Sequence, residues 1–151
     1  MKKSIVFIVV LVLCLALAAC GAKSGSPGGE QLDMVVITEK LFIQQCNDIY
    51  LNPSLYEQKR VRIEGICDIW QNEEGEICYS VYRNGPGCCG NDGVAGFQFK
   101  PEGKPAVRIN DWIAVEGVPR SVQLDDYGDT VVIGNAVVTV KTERGAEYVE
   151  N

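Results

Sequence analysis

Between Gln58 and Trp70 the chain alternates, and this stretch limits the fold more than any other. Val61, Ile63, Cys67 and Ile69 interleave with Arg60, Arg62, Glu64 and Asp68, the period-two pattern of a strand with one buried and one wet face. Gly65 stands in its middle, where a strand glycine marks a bulge or a bend. Long strands that bend at central glycines favour a small closed or nearly closed barrel, because closure leaves no sheet edge unpaired.

The other segments supply its partners. Met34-Val35-Val36-Ile37 is a short apolar run that suits a strand. Thr38 is a candidate N-cap with Glu39 in the first turn, and Leu41, Phe42, Gln45, Cys46, Ile49 and Tyr50 recur at three- and four-residue spacings, which predicts a helix over 39–50. Cys46 lies on the apolar face of that helix and reads as a buried small hydrophobe. Asn52-Pro53 ends the helix. Asn72 to Gly75 is a turn, and Ile77 to Tyr82 a return strand. Further strands are expected over Val94 to Lys100, Asp111 to Val118 and Thr130 to Val140, the last interrupted at Gly134. The run from Asn52 to a strand containing Glu64-Gly65 resembles the opening of an OB-type barrel, and Val115-Glu116-Gly117 resembles a later strand of it. The expected fold is mainly β: a small OB-like β-barrel of five to six strands with an N-terminal helix, over residues 32–142, before a polar tail, 143–151, that frays.

The N-terminus carries an address. Lys2 and Lys3 precede an apolar run from Ile5 to Leu17, the layout of an export signal and too short for a membrane-spanning helix. Its ending, Leu17-Ala18-Ala19-Cys20-Gly21, resembles the bacterial lipoprotein signal. The resemblance implies that residues 1–19 are a signal peptide, that Cys20 is acylated as the mature N-terminus, and that 20–31 is a flexible tether rich in Gly and Ser. The location implied is the cell membrane, lipid-anchored on the extracytoplasmic side. Cleavage removes Lys2 and Lys3, so 12 basic residues face 20 acidic ones and the mature formal charge is −8. Such a surface is repelled by phosphate backbones. No nucleic-acid partner is expected, although Tyr79, Tyr82 and Phe97 are aromatics of the kind that stack on bases.

The chain contains no histidine. This excludes Ser-His and Cys-His nucleophile pairs, histidine general bases and histidine metal ligands. Soft chemistry falls to cysteine. Residues Gly85 to Gly93 hold Cys88 and Cys89 among glycines, with Asp92 three residues on, a segment expected to be a shaped loop. Two thiolates and a carboxylate, joined by Cys67 or Cys78 from neighbouring strands, would make a sulfur-rich site. Zinc is its first candidate, with copper(I) or iron–sulfur behind it. The spacing is not Cys-x-x-Cys, so neither a zinc-ribbon nor a thioredoxin-type motif is present. A turn centred between residues 72 and 73 would make Cys67 and Cys78 face each other, a candidate disulfide that a one-residue slip would separate. Buried thiols remain the plain reading of all of these.

Cys88, Cys89 and Asp92, followed by Gly96-Phe97 and Asn110-Asp111-Trp112, resemble the Cys-Cys-x-x-Asp pattern in the soluble domain of a bacterial family of permease-associated membrane proteins. The similarity spans roughly 35–140, with a lipid signal here where that family has membrane helices. It implies a membrane transporter as partner. The leading expectation is a membrane-anchored extracytoplasmic binding module that coordinates or senses a soft metal through its Cys-Cys loop, not an enzyme. The alternatives are a thiol-disulfide oxidoreductase using the same cysteines, for which the lack of histidine and of any cation nearer in sequence than Arg83 keeps the thiolate fraction low, and a structural accessory domain of a transporter.

Overall fold

The alternating stretch forms a single long strand whose two halves serve different neighbours. In the computed structural model, which describes residues 32–87, 90–124 and 128–150, it is β2 (Lys59–Gln71). Residues Val61 to Ile66 pair antiparallel with β5 (Trp112–Leu124), and Ile66 to Gln71 pair antiparallel with β3 (Ile77–Gly87). The change of partner falls at Ile66, next to Gly65. A Cβ on Gly65 would stand 2.5 Å from the backbone oxygen of Tyr82, so the approach of β3 that lets β2 turn is open to glycine alone.

β3 continues antiparallel into β4 (Gly90–Pro101), β4 runs parallel to β6 (Gly128–Val140), and β6 returns antiparallel to β5. The order is therefore β2-β3-β4-β6-β5 and back to β2, a ring of pairings within a six-stranded mixed sheet. The sixth strand, β1 (Asp33–Val36), adds parallel to the outer side of β2. Architecture is mainly β, as the alternation predicts.

The helix is short and comes second. A 3-10 turn over Glu39–Leu41 leads into α1 (Phe42–Leu51), so the helix expected at the N-terminus of the domain follows β1. Thr38 makes no side-chain cap. Instead Gln45 Oε1 accepts hydrogen bonds from the Thr38 backbone N–H at 2.8 Å and hydroxyl at 3.1 Å. Phe42, Cys46 and Ile49 are its buried face. They join Val61, Ile63, Cys67, Val81, Phe97, Phe99, Ile113, Val115 and Ile133 in one core. Each such side chain contributes about 1.5–3 kcal/mol through burial.

Two further expectations change. The Gly85 to Gly93 segment is strand up to its tip: β3 runs to Gly87, β4 starts at Gly90, and these two residues pair with each other. The glycines allow close strand approach there rather than an open loop. The polar tail does not fray over 143–150. Asn84 N–H donates to the Glu147 carbonyl at 2.9 Å, Val149 N–H donates to the Asn84 carbonyl at 2.8 Å, and Val149 is buried in the core. The tail takes the edge of β3 that β2 leaves when it crosses to β5. Among the described residues no helix is long and apolar enough to cross a membrane.

Candidate ligand groove

The outer face of β2, β3 and β4 is built by parity. Val81 opposite Cys67 points into the core, so the residues one step away in each strand point out. This places Asp68, Ser80 and Gln98 in one cross-strand row, with Trp70 and Tyr82 in adjoining rows. The helix closes one side. The Tyr50 ring stacks on Phe97 at 4.8 Å, and its hydroxyl donates to the Gly96 carbonyl at 2.9 Å. Burial pushes the Tyr50 phenol above its ordinary value. β4 comes in close because Gly96 lies hard against the Val81 carbonyl, where a Cβ has no room.

Between helix and strands lies an open groove of about 930 Å³, near the upper end of the roughly 300–1,000 Å³ usual for ligand sites. Trp70 and Tyr82 supply aromatic surface, Asn47, Ser80, Asn84 and Gln98 supply neutral donors and acceptors, and Asp68 supplies the carboxylate. No Lys or Arg stands among the described residues that line it. Asp68 Oδ1 accepts from the Ile69 backbone N–H at 2.9 Å, which fixes its orientation. Cys46 forms part of the floor. Burial pushes its thiol up to about 12, against a small opposing pull from Arg83, so it is a neutral hydrophobe.

The sequence-predicted site residues separate. Cys67 and Cys78 do not face each other: Cys67 pairs with Val81 and Cys78 with Trp70. The last pair before the turn is Gln71 with Ile77, so the turn holds Asn72 to Glu76 and its centre moves. The Asn72 side chain sets this length by accepting from the Glu76 N–H at 2.8 Å, while the Asn72 N–H donates to the Glu76 carbonyl at 3.0 Å. The shift puts Cys67 in the core and Cys78 on the opposite face, and both are free thiols, so the candidate disulfide is not formed. Burial, with Asp111 and Asp68 adding smaller repulsions, pushes Cys67 up to about 11. Cys67 and Cys78 therefore do not converge on one metal. Among the described residues no three Cys, Asp or Glu side chains cluster as metal ligands. Cys88 and Cys89 lie outside the described residues, as does the Asp92 side chain.

Arg83 is not a free cation near those cysteines. Its buried guanidinium donates to the Glu64 carbonyl at 2.8 Å and to Glu39 at 3.0 Å, and it lies 4.8 Å from the Phe42 ring and 4.9 Å from the Trp112 ring. Of the three candidate stacking aromatics Tyr82 lines the groove half-exposed, whereas Phe97 is buried under Tyr50 and Tyr79 stacks on Phe99; Trp70, Asn47, Asn84 and Gln98 were not legible as groove residues. The available signal was the parity of β2 and β3, which sets Asp68, Trp70, Ser80 and Tyr82 on the face opposite Cys67 and Val81.

No sequence family matches the chain, and no curated protein matches it. Among solved structures, the chain is similar to the mitochondrial single-stranded DNA binding protein Rim1 from S. cerevisiae. The identity is 15%, the match covers 58% of this chain and 97% of that one, and the TM-score is 0.38. The resemblance to permease-associated domains gains no family match.

Proposed function

We propose that this chain is an extracytoplasmic binding module, tethered to the membrane by acyl chains on Cys20, whose ring of strands is an OB-type barrel. Its ligand lies in the groove between α1 and the outer face of β2, β3 and β4. The supporting observation is the groove lining: four aromatic side chains, of which Tyr50 and Phe97 stack on each other and Trp70 and Tyr82 do not, four neutral hydrogen-bonding side chains, and one carboxylate with no cation among the described lining residues. In a five-stranded Greek-key barrel of this type the second and third strands form the usual binding face; β3 and β4 hold those places in the ring here. A polyanionic ligand is disfavoured by Asp68 and by the net acidic charge.

Coordination of a soft metal, zinc first, belongs to this proposal as a second reading. Its candidate ligands are Cys88, Cys89 and Asp92; Cys67 is committed to the core, and Cys78 stands on the face opposite Cys67, in the row of Trp70. Thiol-disulfide exchange gains no support from Cys46 or Cys67, whose raised pKa values leave little thiolate.

The groove is tested by NMR on the full chain in detergent micelles. The two indole N–H resonances are assigned with Trp70→Phe, and the chain is titrated with a neutral oligosaccharide, a cationic peptide and a single-stranded oligonucleotide. At least one probe is expected to move the Trp70 indole saturably, and Tyr82→Ala to weaken that binding without loss of circular dichroism. Perturbations confined to surfaces away from Trp70, Tyr82 and Asn47 would overturn the assignment.

A further inference from the structure

We infer that the groove takes a neutral glycan segment. This rests on the groove being the ligand site and adds the class of ligand. Three properties of the lining select it. The first is saturation of the sheet: the backbones of Asp68, Ser80 and Gln98 are paired to one another across β2, β3 and β4. An extended peptide lying there finds no open edge to pair with, so strand addition, its main source of affinity, is unavailable. Recognition has to run through side chains. The second is the polar inventory. Amides at Asn47, Asn84 and Gln98 and the Ser80 hydroxyl both donate and accept, and Asp68 accepts only. Hydroxyl groups, which also donate and accept, match this set at several points, whereas a lone cation uses Asp68 and leaves the amides without a role. The third is charge. With one carboxylate and no cation among the described lining residues, phosphate, sulfate and uronate groups are disfavoured, which leaves neutral sugars.

The aromatic residues complete the fit. Trp70 and Tyr82 are half-buried on the solvent face of their strands, where a ring presents an apolar body and a polar edge. Sugar rings carry C–H groups on one face that pack on such surfaces while their hydroxyls reach the flanking amides. The groove is open and large enough for more than a compact metabolite, which favours a segment of an oligomer. Tyr50, by contrast, is occupied by Phe97 and Gly96 and fixes the wall.

The experiment is a titration of the full chain, in micelles of a detergent without a sugar headgroup, with maltohexaose and with hexa-N-acetylchitohexaose. A cationic peptide and a single-stranded oligonucleotide run as parallel arms. The expected result is a saturable shift of the Trp70 indole and of the Asn47, Asn84 and Gln98 side-chain amides with at least one glycan. The shift should persist as salt is raised, and Gln98→Ala should weaken it about tenfold, the loss of one or two neutral hydrogen bonds. If neither glycan moves these resonances and the peptide or the oligonucleotide does, the glycan inference is overturned while the groove stands as the ligand site. If no probe moves them, both are overturned. A glycan response unchanged in Gln98→Ala and in Tyr82→Ala also overturns the inference, because the sugar is then bound elsewhere.

Discussion

Arg83 is the residue on which most separate interactions meet. A guanidinium buried in a small core is costly unless its donors are used and its faces covered. Here one N–H goes to the Glu64 carbonyl and another to Glu39, while Phe42 and Trp112 lie close enough for cation–π contact. Arg83→Ala removes all four interactions at once and should cost about 2–4 kcal/mol in urea denaturation. The partner is different in kind. Glu39 is largely exposed, with a side-chain accessibility of 58%, so Glu39→Gln should cost less than about 1 kcal/mol. Its pH dependence identifies the contact. The Ala146 N–H foremost, and then Arg83, hold the Glu39 carboxyl below its ordinary value. A carboxylate depressed in the folded state stabilises above its unfolded pKa and loses that contribution as pH falls through the folded one. Wild type and Glu39→Gln should therefore differ near neutrality and converge in acid. Parallel denaturation curves with a constant gap down to strong acid would contradict this.

At the scale of the element, the bend in β2 decides how the sheet closes. Gly65 was readable in the sequence as a bend, and its reason is steric: the Tyr82 carbonyl occupies the space a Cβ would need. Gly65→Ala should destabilise by about 1–3 kcal/mol, the usual cost of forcing extra volume into packed structure. Gly134→Ala in β6 is the control. A Cβ there meets Arg120 Cγ at an ordinary 3.5 Å, so the change should be near neutral in the same denaturation assay. Equal losses at both positions would mean that generic strand effects, not the crossing at Tyr82, set the need for glycine. The turn after β2 was less legible. Asn72 to Gly75 read as a turn, but a local signal does not reveal that Asn72 reaches across to Glu76 and lengthens the loop. That single bond network moved the register and sent Cys78 to the opposite face from Cys67.

At the scale of the whole molecule, the ring of strands carries the candidate site on its outside, with Cys78 on that outer face. Cys46 and Cys67 belong to the core, whereas Cys20, Cys88 and Cys89 hold the proposed chemistry. Intact mass measurements separate these roles. Denaturing mass spectrometry of protein isolated from its own membranes should show acyl additions that Cys20→Ser abolishes, together with release from the membrane fraction, since each buried CH₂ contributes about 0.8 kcal/mol to anchoring. Native mass spectrometry without chelator should show a zinc-sized increment that acid removes and that the double change Cys88→Ser, Cys89→Ser prevents. An acyl-free mass would overturn the anchor, and a metal-free mass the second reading.

Features that depend on neighbours along the chain could be read without coordinates. The period-two alternation in β2, the glycine at its bend, the apolar face of α1 and the turn chemistry at Asn72 to Gly75 are local, and they sufficed for a mainly β fold with one short helix. The lack of histidine likewise removed whole classes of chemistry without any coordinates. The remaining features depend on pairings between segments distant in sequence. The passage of β2 from β5 to β3, the tail filling the edge at Asn84, the burial of Arg83 and the row Asp68, Ser80, Gln98 all arise from register. Register is the sum of many weak cross-strand contacts, and a slip by an odd number of residues exchanges the two faces. For that reason the composition of the groove, and the separation of Cys67 from Cys78, became visible only once the strands were paired.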